Sequence, residues 1–306
     1  MTDLAVFYEH PRWFEPLFAA LDRRGLDWRA IGIQDHAFDP AETRAPAHVI
    51  LNRLAMSSFT RQGEHGLFYS LAVLDNWQGL GARVINGAGP LGYDLSKARQ
   101  LSLFRRAGLD IPATRVAHRQ ADIPRLAAEL GHPVMVKVNV GGSGAGMVRY
   151  DRPDELEAAV LEGLTPVSVD GVVLVQEFLP ARGQSVIRCE VLAGKLLYAI
   201  TLTGANSFDL CPADVCLADK PSIVVNAFDP PTDVASAVER VALMSGLDVG
   251  GIEYLVDDRD GRAKFYDFNA LSNFVANPVQ ILGFDPHDNL VDFVAGEIAA
   301  HGKVKA

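Results

Sequence analysis

The stretch PVMVKVNVGGSGAGMVRYD, residues 133–151, places four glycines within six positions directly after an apolar run that contains Lys137. The valines at alternate positions predict a strand with one buried face, and Lys137 falls on the other face. The segment MVRYD is typical of a second strand, so the glycines are predicted to form the tip of a β-hairpin. Walker A loops and Rossmann turns lead from glycines into a helix, so neither describes this stretch.

A glycine-rich hairpin tip can bind phosphate. Its bare backbone N–H groups can fold over a phosphate chain, while Lys137 supplies positive charge from the strand beneath. The candidate contacts in the tip are Gly141, Gly142, Ser143 and Gly144. A floppy turn above an exposed lysine is the alternative that this stretch alone leaves open.

Composition narrows the class of protein. The chain has 306 residues, 49% of them hydrophobic, enough for a large core divided over two or three lobes. A formal net charge of −10 opposes binding to nucleic acid or an anionic membrane, since both require clustered Lys and Arg. Without a basic leader or a membrane-length apolar run, we expect a cytoplasmic protein that acts on small molecules. Cys189, Cys211 and Cys216 are interpreted as small buried side chains rather than metal ligands.

Apolar strand-like segments alternate with helix-like segments in the first part of the chain. Strands are predicted over residues 4–9, 48–52 and 82–86, with a helix in each interval. This alternation indicates parallel βαβ layering, so residues 1–92 are predicted to form a small α/β lobe. A helix over residues 95–108 opens the next part of the chain.

The segment GAGPLG, residues 87–92, matches the GxGxxG pattern of dinucleotide-binding proteins. Pro90 removes an N–H donor that a dinucleotide phosphate would use, and it restricts Gly89. The preceding strand also closes the first lobe rather than opening one. An NAD-linked oxidoreductase is therefore a minor alternative.

Two acidic residues are predicted to face each other in GGIEYLVDDRDGRAKFYDFNALSN, residues 250–273. The turn DDRDG separates two strand-like runs, and a hairpin symmetric about Asp260 puts Glu253 opposite Asp267, with Asn269 further along the same face. Two carboxylates and an amide oxygen suit Mg²⁺, although solvent-facing acids are the alternative. Tyr266, with Ile252, Tyr254 and Phe268, is predicted to line the opposite, buried face.

A largely apolar run, residues 172–178, ends in Gln176, Glu177 and Phe178. Such a strand end can offer backbone groups to an adenine edge and a carboxylate to its amino group. Arg188 lies on the next strand, and its planar guanidinium suits a carboxylate or phosphoryl oxygen. Glu177 and Arg188, each taken singly, are equally compatible with a surface ion pair.

Taken in order, these features resemble the ATP-grasp superfamily, most closely its glutamate-ligase-like branch of carboxylate–amine ligases. The resemblance spans nearly the whole chain and rests on SKARQLSLFRRAGLDIPAT, PVMVKVNVGGSGAG, VQEFLPARGQSVIRC and FYDFNALSN. It implies an α/β chain with the α+β ATP-grasp fold, in which an N-terminal βαβ lobe precedes two α+β lobes that clamp ATP. The expected lobes are residues 1–92 for substrate, 93–175 with the glycine hairpin, and 176–306 with the metal site.

The resemblance also implies a role for each matching residue. The family reaction joins a carboxylate to an amine through an acyl phosphate, so it needs groups that position phosphates and neutralise charge. Lys137 and Arg188 are the candidate catalytic residues on that ground. Grouped by role, the implied contacts are Lys97, Lys137, Gly141, Gly142, Ser143 and Gly144 for the phosphates; Gln176, Glu177 and Phe178 for adenine; Glu253, Asp267 and Asn269 for metal; and Arg53, Arg188 and Asn273 for substrate.

The implied cofactors are ATP and two Mg²⁺ ions, for which Mn²⁺ can substitute, and the implied partners are a small carboxylate and an amine or short peptide. A homodimer is an open option. The pattern departs from the family at TGANSFDLCPADVC, residues 203–216, in the Glu-then-Asp order of the acid pair, and in the turn after Asn269. The substrates therefore stay open, and a non-catalytic protein that binds nucleotide and ligand is the alternative to a ligase.

Overall fold

The computed structural model describes residues 2–60, 66–142, 145–204 and 223–302. The strands are β1 Thr2–Tyr8, β2 Trp28–Gly32, β3 Ala47–Arg53, β4 Arg83–Ile85, β5 Thr114–Ala117, β6 Val134–Val138, β7 Met147–Tyr150, β8 Val173–Glu177, β9 Ser185–Leu192, β10 Lys195–Thr203, β11 Val224–Phe228, β12 Val249–Val256 and β13 Ala263–Asn269. The helices are α1 Glu15–Arg24, α2 Gly66–Gly79, α3 Ala88–Asp94, α4 Lys97–Arg106, α5 Ile123–Leu130, α6 Pro153–Leu161, α7 Thr232–Ser245, α8 Pro278–Leu282 and α9 Pro286–Gly302.

The N-terminal sheet is parallel and has the strand order β2-β1-β3-β4. Its central strands are continuous apolar runs, and Leu4 to Phe7 are fully buried, as expected where both faces of a sheet are covered. The predicted βαβ layering is confirmed, and three of the strands were predicted. The sequence did not reveal β2, because this edge strand is short and its side chains are only partly buried.

The middle sheet is antiparallel, with the order β5-β8-β6-β7. The valines of β6 point into a core shared with α5 and α6, which confirms the alternation predicted from residues 133–151. β6 and β7 pair as the predicted hairpin, with Lys137 opposite Met147.

The third sheet is also antiparallel, with the order β11-β10-β9-β12-β13. Helices α4 and α7 cover one face of this sheet, where Phe104 and Val241 pack against Phe268. Ser96 caps the N-terminus of α4, and its hydroxyl accepts the Arg99 N–H. α4 therefore shares a core with the third sheet. Its position in the sequence falls within the predicted lobe 93–175, and the limits of the three lobes stay predictions.

Asn86 joins the first sheet to the third. It follows β4 and is fully buried with φ of +53°. Its side-chain oxygen accepts the N–H groups of Asp248 (2.9 Å) and Val249 (3.2 Å), and its amide donates to the Ala270 carbonyl at 2.5 Å. Arg83 adds an ion pair to Asp248 at 2.6 Å. These contacts fix the carboxyl edge of the parallel sheet against β12 and β13.

Candidate functional site

The predicted acid pair lies on β12 and β13, at one edge of the third sheet. Glu253 on β12 is the direct cross-strand partner of Asp267 on β13, which confirms the predicted register. Glu253 is 8% exposed, and burial raises the pKa of its carboxyl, an effect that Arg188 opposes and Asp267 reinforces. Asn269, two residues beyond Asp267, donates its amide N–H to Asp267 Oδ2 at 3.2 Å.

Two cations bind this acid pair from opposite sides. Arg188 on β9 donates to Glu253 Oε1 at 2.8 Å, and its Nε donates to Glu190 at 2.6 Å. Lys97, the first residue of α4, forms an ion pair with Asp267. Burial lowers the pKa of Lys97, but the hydrogen bond and charge of Asp267, together with the charges of Glu253 and Asp94, outweigh burial, and the net pKa is raised. Both carboxyl groups are therefore paired with positive side chains.

Lys137 approaches the acid pair from the middle sheet. Its ammonium donates to Gln176 Oε1 at 2.6 Å and lies 5.9 Å from the centre of the Tyr266 ring. Burial lowers the pKa of Lys137 to about 8, and the positive charge of Lys97 adds to this effect. The two lysines thus approach the acid pair from two different elements, Lys97 from helix α4 and Lys137 from strand β6 of the middle sheet.

The prediction for Tyr266 was wrong. A β-bulge shifts the register after the Glu253–Asp267 pair, so that Tyr254 faces Phe265 instead of Tyr266. Phe265 consequently stacks on Tyr254 in the core, at 5.0 Å between ring centres. The extra residue, Tyr266, turns toward the acids and donates its hydroxyl to Glu253 Oε2 at 3.1 Å.

The glycine hairpin is partly described. Ser143 and Gly144, both predicted phosphate contacts, lie outside the described residues. Of the others, Gly142 lies against the 3₁₀ helix Met56–Thr60 that follows β3, where an added Cβ would come within 3.1 Å of the Ser57 nitrogen. Gly141 has no room for a Cβ beside Val138. The hairpin tip therefore begins next to the N-terminal lobe, and its phosphate role stays a prediction.

Gln176, Glu177 and Phe178 lie where the middle sheet meets the hairpin of the third. Glu177 accepts the N–H of Ala113 at 2.7 Å and forms an ion pair with Arg259 at 2.7 Å. The Phe178 ring packs under the Arg149 guanidinium, 4.0 Å from the ring centre. These contacts join two sheets, and the adenine assignment stays a prediction.

Arg53 contacts the segment that follows β13. Arg53 is the last residue of β3, at the carboxyl edge of the parallel sheet, where ligands of α/β proteins usually bind. It is 1% exposed, its guanidinium lies 5.5 Å from the centre of the Phe14 ring, and it donates to the Ser272 carbonyl. Asn273 follows Ser272 directly in the chain, and the substrate roles of Arg53 and Asn273 stay predictions.

Sequence reasoning missed Glu190 and Asp94. Glu190 interrupts an apolar strand two residues after Arg188, and this shared parity was the signal that could have found it. Asp94 is buried and accepts the Ala270 N–H at 2.7 Å; burial raises the pKa of its carboxyl to about 8. Cys189 is buried as expected, whereas Cys211 and Cys216 lie outside the described residues, as does most of segment 203–216.

The GAGPLG segment forms the start of α3. The first N–H of this helix, from Ala88, is taken by the side chain of Gln78 at 2.9 Å. Gly89 packs near the Ser245 carbonyl of α7. These contacts give residues 87–92 a packing role in the described structure.

Comparisons with known proteins match part of this chain to a domain family and to curated relatives. Residues 95–214 match the model of the RimK-like ATP-grasp domain. A probable alpha-L-glutamate ligase of Teredinibacter turnerae is 31% identical over 48% of this chain and 48% of its own length. Another, of Aeromonas salmonicida, is 29% identical over 64% of this chain and 63% of its own. The chain thus spans about half the length of the first of these curated relatives.

Solved structures resemble the whole chain. The ATP-grasp ligase PsnB in complex with its minimal precursor has a TM-score of 0.70 at 19% identity, covering 97% of this chain and 100% of that one. The D-cycloserine synthetase DcsG has a TM-score of 0.72 at 15% identity, covering 96% of this chain and 99% of that one. The D-alanine–D-alanine ligase of Bacillus anthracis has a TM-score of 0.69 at 17% identity, covering 100% of both chains. Within the described residues, none of the helices has the length and apolar character needed to cross a membrane.

Proposed function

We propose that this chain, which belongs to the ATP-grasp superfamily and carries a RimK-like ATP-grasp domain, is an ATP- and Mg²⁺-dependent carboxylate–amine ligase. The reaction would join a small carboxylate to an amine through an acyl phosphate, with release of ADP and phosphate. The convergence of Lys97, Lys137 and Arg188 on one buried acid pair supports this function most directly. Such an arrangement suits phosphoryl transfer, where positioning and neutralisation of charge are the main demands on the protein.

The residues present fit a bound Mg²⁺. Glu253, Asp267 and Asn269 offer hard oxygen donors from one face of a hairpin, and the acids are shielded from water. No group of three or more His, Cys, Asp or Glu side chains within the described residues could hold a metal ion, so the Asn269 amide and phosphate oxygens would complete the coordination. Bound Mg²⁺ would neutralise charge on the phosphate oxygens.

The chain's own residues would act by position and charge. Lys137, mostly protonated at neutral pH, would hold the phosphates from the middle sheet, and Lys97 would do so from α4 once Asp267 turns to the metal. Arg188 is fixed by two carboxylates, so it is preorganised to stabilise charge that develops on the reacting carboxylate. The substrate carboxylate oxygen would attack the γ-phosphorus, the bond to ADP would break, and an amine would then displace phosphate.

A hydroxylamine trap tests this proposal. Purified protein, Mg²⁺ and ATP are incubated with a panel of carboxylates and hydroxylamine, and ADP and hydroxamate are measured. Carboxylate-dependent formation of both in equal amounts is expected. ATP binding without carboxylate-dependent ADP would favour the non-catalytic alternative, and release of AMP and pyrophosphate would point to adenylation instead.

A further inference from the structure

Asn139 connects the strand that carries Lys137 to the helix that carries Lys97. It follows β6 directly, two residues after Lys137, and it is 4% exposed. Buried polar side chains in folded proteins are almost always hydrogen-bonded, so the partners of Asn139 show what it holds in place. The proposed mechanism assigns Asn139 no role, although it contacts the elements that carry both proposed phosphate lysines.

The first turn of α4 is held by Asn139. The Lys97 N–H donates to the backbone carbonyl of Asn139 at 3.1 Å, and the Ala98 N–H donates to its side-chain oxygen at 3.0 Å. Ser96 donates its hydroxyl to the same side-chain oxygen at 3.1 Å and accepts the Arg99 N–H at 3.3 Å. The first three N–H groups of the helix are therefore occupied by protein acceptors, two of them by Asn139.

The other half of the Asn139 side chain is tied to the turn before β8. Its amide donates to the Asp170 carboxylate at 2.6 Å, and Asp170 also accepts the N–H of Val172 at 3.1 Å. The backbone N–H of Asn139 donates to the Val172 carbonyl, which continues the pairing of β6 with β8. The start of α4 is therefore attached to two adjacent strands of the middle sheet, while the body of the helix packs on the third sheet.

The two lysines are held near each other although their charges repel. Burial and the positive charge of Lys97 lower the pKa of Lys137 to about 8, so the two ammonium groups act on each other. Lys137 is bonded to Gln176 in the middle sheet, and Lys97 is paired with Asp267 in the third sheet. The distance between the ammonium groups therefore depends on how β6 is attached to α4, which is where Asn139 lies.

We propose that Asn139 is a positioning residue that sets the spacing of the two phosphate lysines, an inference that rests on the proposed function. Two ammonium groups held at a fixed spacing bind a phosphate chain without first having to be brought together. Because the N–H groups at the start of α4 are occupied, this helix would act on the phosphates through the side chain of Lys97 rather than through its backbone. Asn139 would thus act on the nucleotide through Lys97 and Lys137.

Calorimetry with Mg²⁺ and AMPPNP, an ATP analogue that is not hydrolysed, tests this role without requiring turnover. Asn139→Ala should weaken AMPPNP by about tenfold or more, because the triphosphate contacts both lysines. Adenosine, which has no phosphate, should keep its affinity, measured by competition with AMPPNP. Glu155→Ala is the matched control: it removes the acceptor of the Asp151 and Arg152 N–H groups at the start of α6, so it should lower stability and leave AMPPNP affinity unchanged.

An exchange of amide and carboxylate provides a second test. Asn139→Asp puts a carboxylate against Asp170 and should weaken AMPPNP by about tenfold, since a hydrogen bond is replaced by repulsion. The double variant Asn139→Asp/Asp170→Asn has the net charge of the wild type and again places a donor opposite an acceptor. It should restore AMPPNP affinity to within about threefold of the wild type.

Equal weakening of AMPPNP and adenosine in Asn139→Ala would assign Asn139 a merely structural role and overturn the proposal. Wild-type AMPPNP affinity in Asn139→Ala would overturn it as well, and so would a double variant as weak as Asn139→Asp. A wild-type protein that binds AMPPNP but gives a negative hydroxylamine trap would contradict the ligase and leave the role of Asn139 in nucleotide binding standing. Failure of the wild type to bind AMPPNP would overturn both.

Discussion

Lys137 is held where burial and the charge of Lys97 lower its pKa to about 8. Its hydrogen bond to Gln176 Oε1, at 2.6 Å, keeps the ammonium pointing to the space beside the acid pair. At neutral pH most molecules carry the protonated lysine, but this fraction falls as the pH rises through about 8. The phosphate contact that we propose for Lys137 would therefore weaken as the pH rises through about 8.

The value of kcat/KM for ATP should decline above a pH of about 8 in the wild-type protein, because the free enzyme then loses the ammonium of Lys137. Lys137→Arg should move this decline to higher pH, since a guanidinium stays protonated. ADP release measured between pH 6.5 and 9.5 checks both expectations. An unchanged pH profile in Lys137→Arg would show that another group titrates.

Glu253→Gln should lower carboxylate-dependent ADP release by roughly 100-fold or more, because a neutral amide binds Mg²⁺ and Arg188 weakly. The matched control is Glu239→Gln, which removes an exposed ion pair with Lys195 and should leave activity unchanged. Steady-state rates at saturating Mg²⁺ give the comparison. Full activity in Glu253→Gln would remove this residue from the metal site.

How far single residues could be predicted depends on what fixes them. Glu253 and Asp267 face each other because of strand parity, and the sequence alone was enough to predict this pairing. The orientation of Tyr266 depends on a bulge whose position no period-2 pattern reveals. Glu190 was hidden for another reason: a buried carboxylate in an apolar strand is recognised only when its partner, Arg188, is seen beside it.

At the scale of elements, Gly251 on β12 leaves room for the side chain of Arg188 on β9. A Cβ at Gly251 would overlap the guanidinium of Arg188, which is held between Glu190 and Glu253 and cannot move away freely. This room lets Arg188 contact Glu190 on its own strand and Glu253 on β12. The turn sequences DDRDG and GGSGAG predicted which strands pair. The need for a small residue at position 251, beside Arg188, is visible only in the structure.

Gly251→Ala should destabilise the fold by about 1–3 kcal/mol and displace Arg188, with a loss of turnover of more than tenfold. Gly296→Ala is the control: it lies in helix α9 with open space around an added Cβ, so it should be neutral or stabilising by about 0.5–1 kcal/mol. Urea unfolding and ADP release measure both effects. Wild-type stability and activity in Gly251→Ala would show that Arg188 has room to move.

At the scale of the whole molecule, the first and third sheets share one hydrophobic core, and the buried hydrogen bonds of Asn86 join the same two sheets. The resemblance to ATP-grasp proteins predicted the fold, and similarity along nearly the whole chain confirms it. The sequence could not show that α4 packs on the third sheet, because helix periodicity identifies a buried face and not its partner. Nor could it show that Asn86, beside the distracting GAGPLG segment, links the first sheet to β12 and β13.

Asn86→Ala should destabilise the protein by about 2–4 kcal/mol, since it leaves buried N–H and carbonyl groups unpaired. Asn86→Gly loses the same hydrogen bonds but tolerates the φ of +53°, so it should be more stable than Asn86→Ala by about 1 kcal/mol. Urea denaturation of the three proteins gives both differences. Equal stability of wild type and Asn86→Gly would deny the side chain any role in joining the sheets.

The most direct measurement of the proposed chemistry follows oxygen. A carboxylate that responds in the hydroxylamine trap is labelled with ¹⁸O at both carboxylate oxygens and incubated with the protein, Mg²⁺, ATP and an amine. Attack of the carboxylate on the γ-phosphate predicts that the released phosphate carries one ¹⁸O, seen by ³¹P NMR, while ADP is unlabelled. Label in AMP, or phosphate that contains only solvent oxygen, would contradict activation through an acyl phosphate.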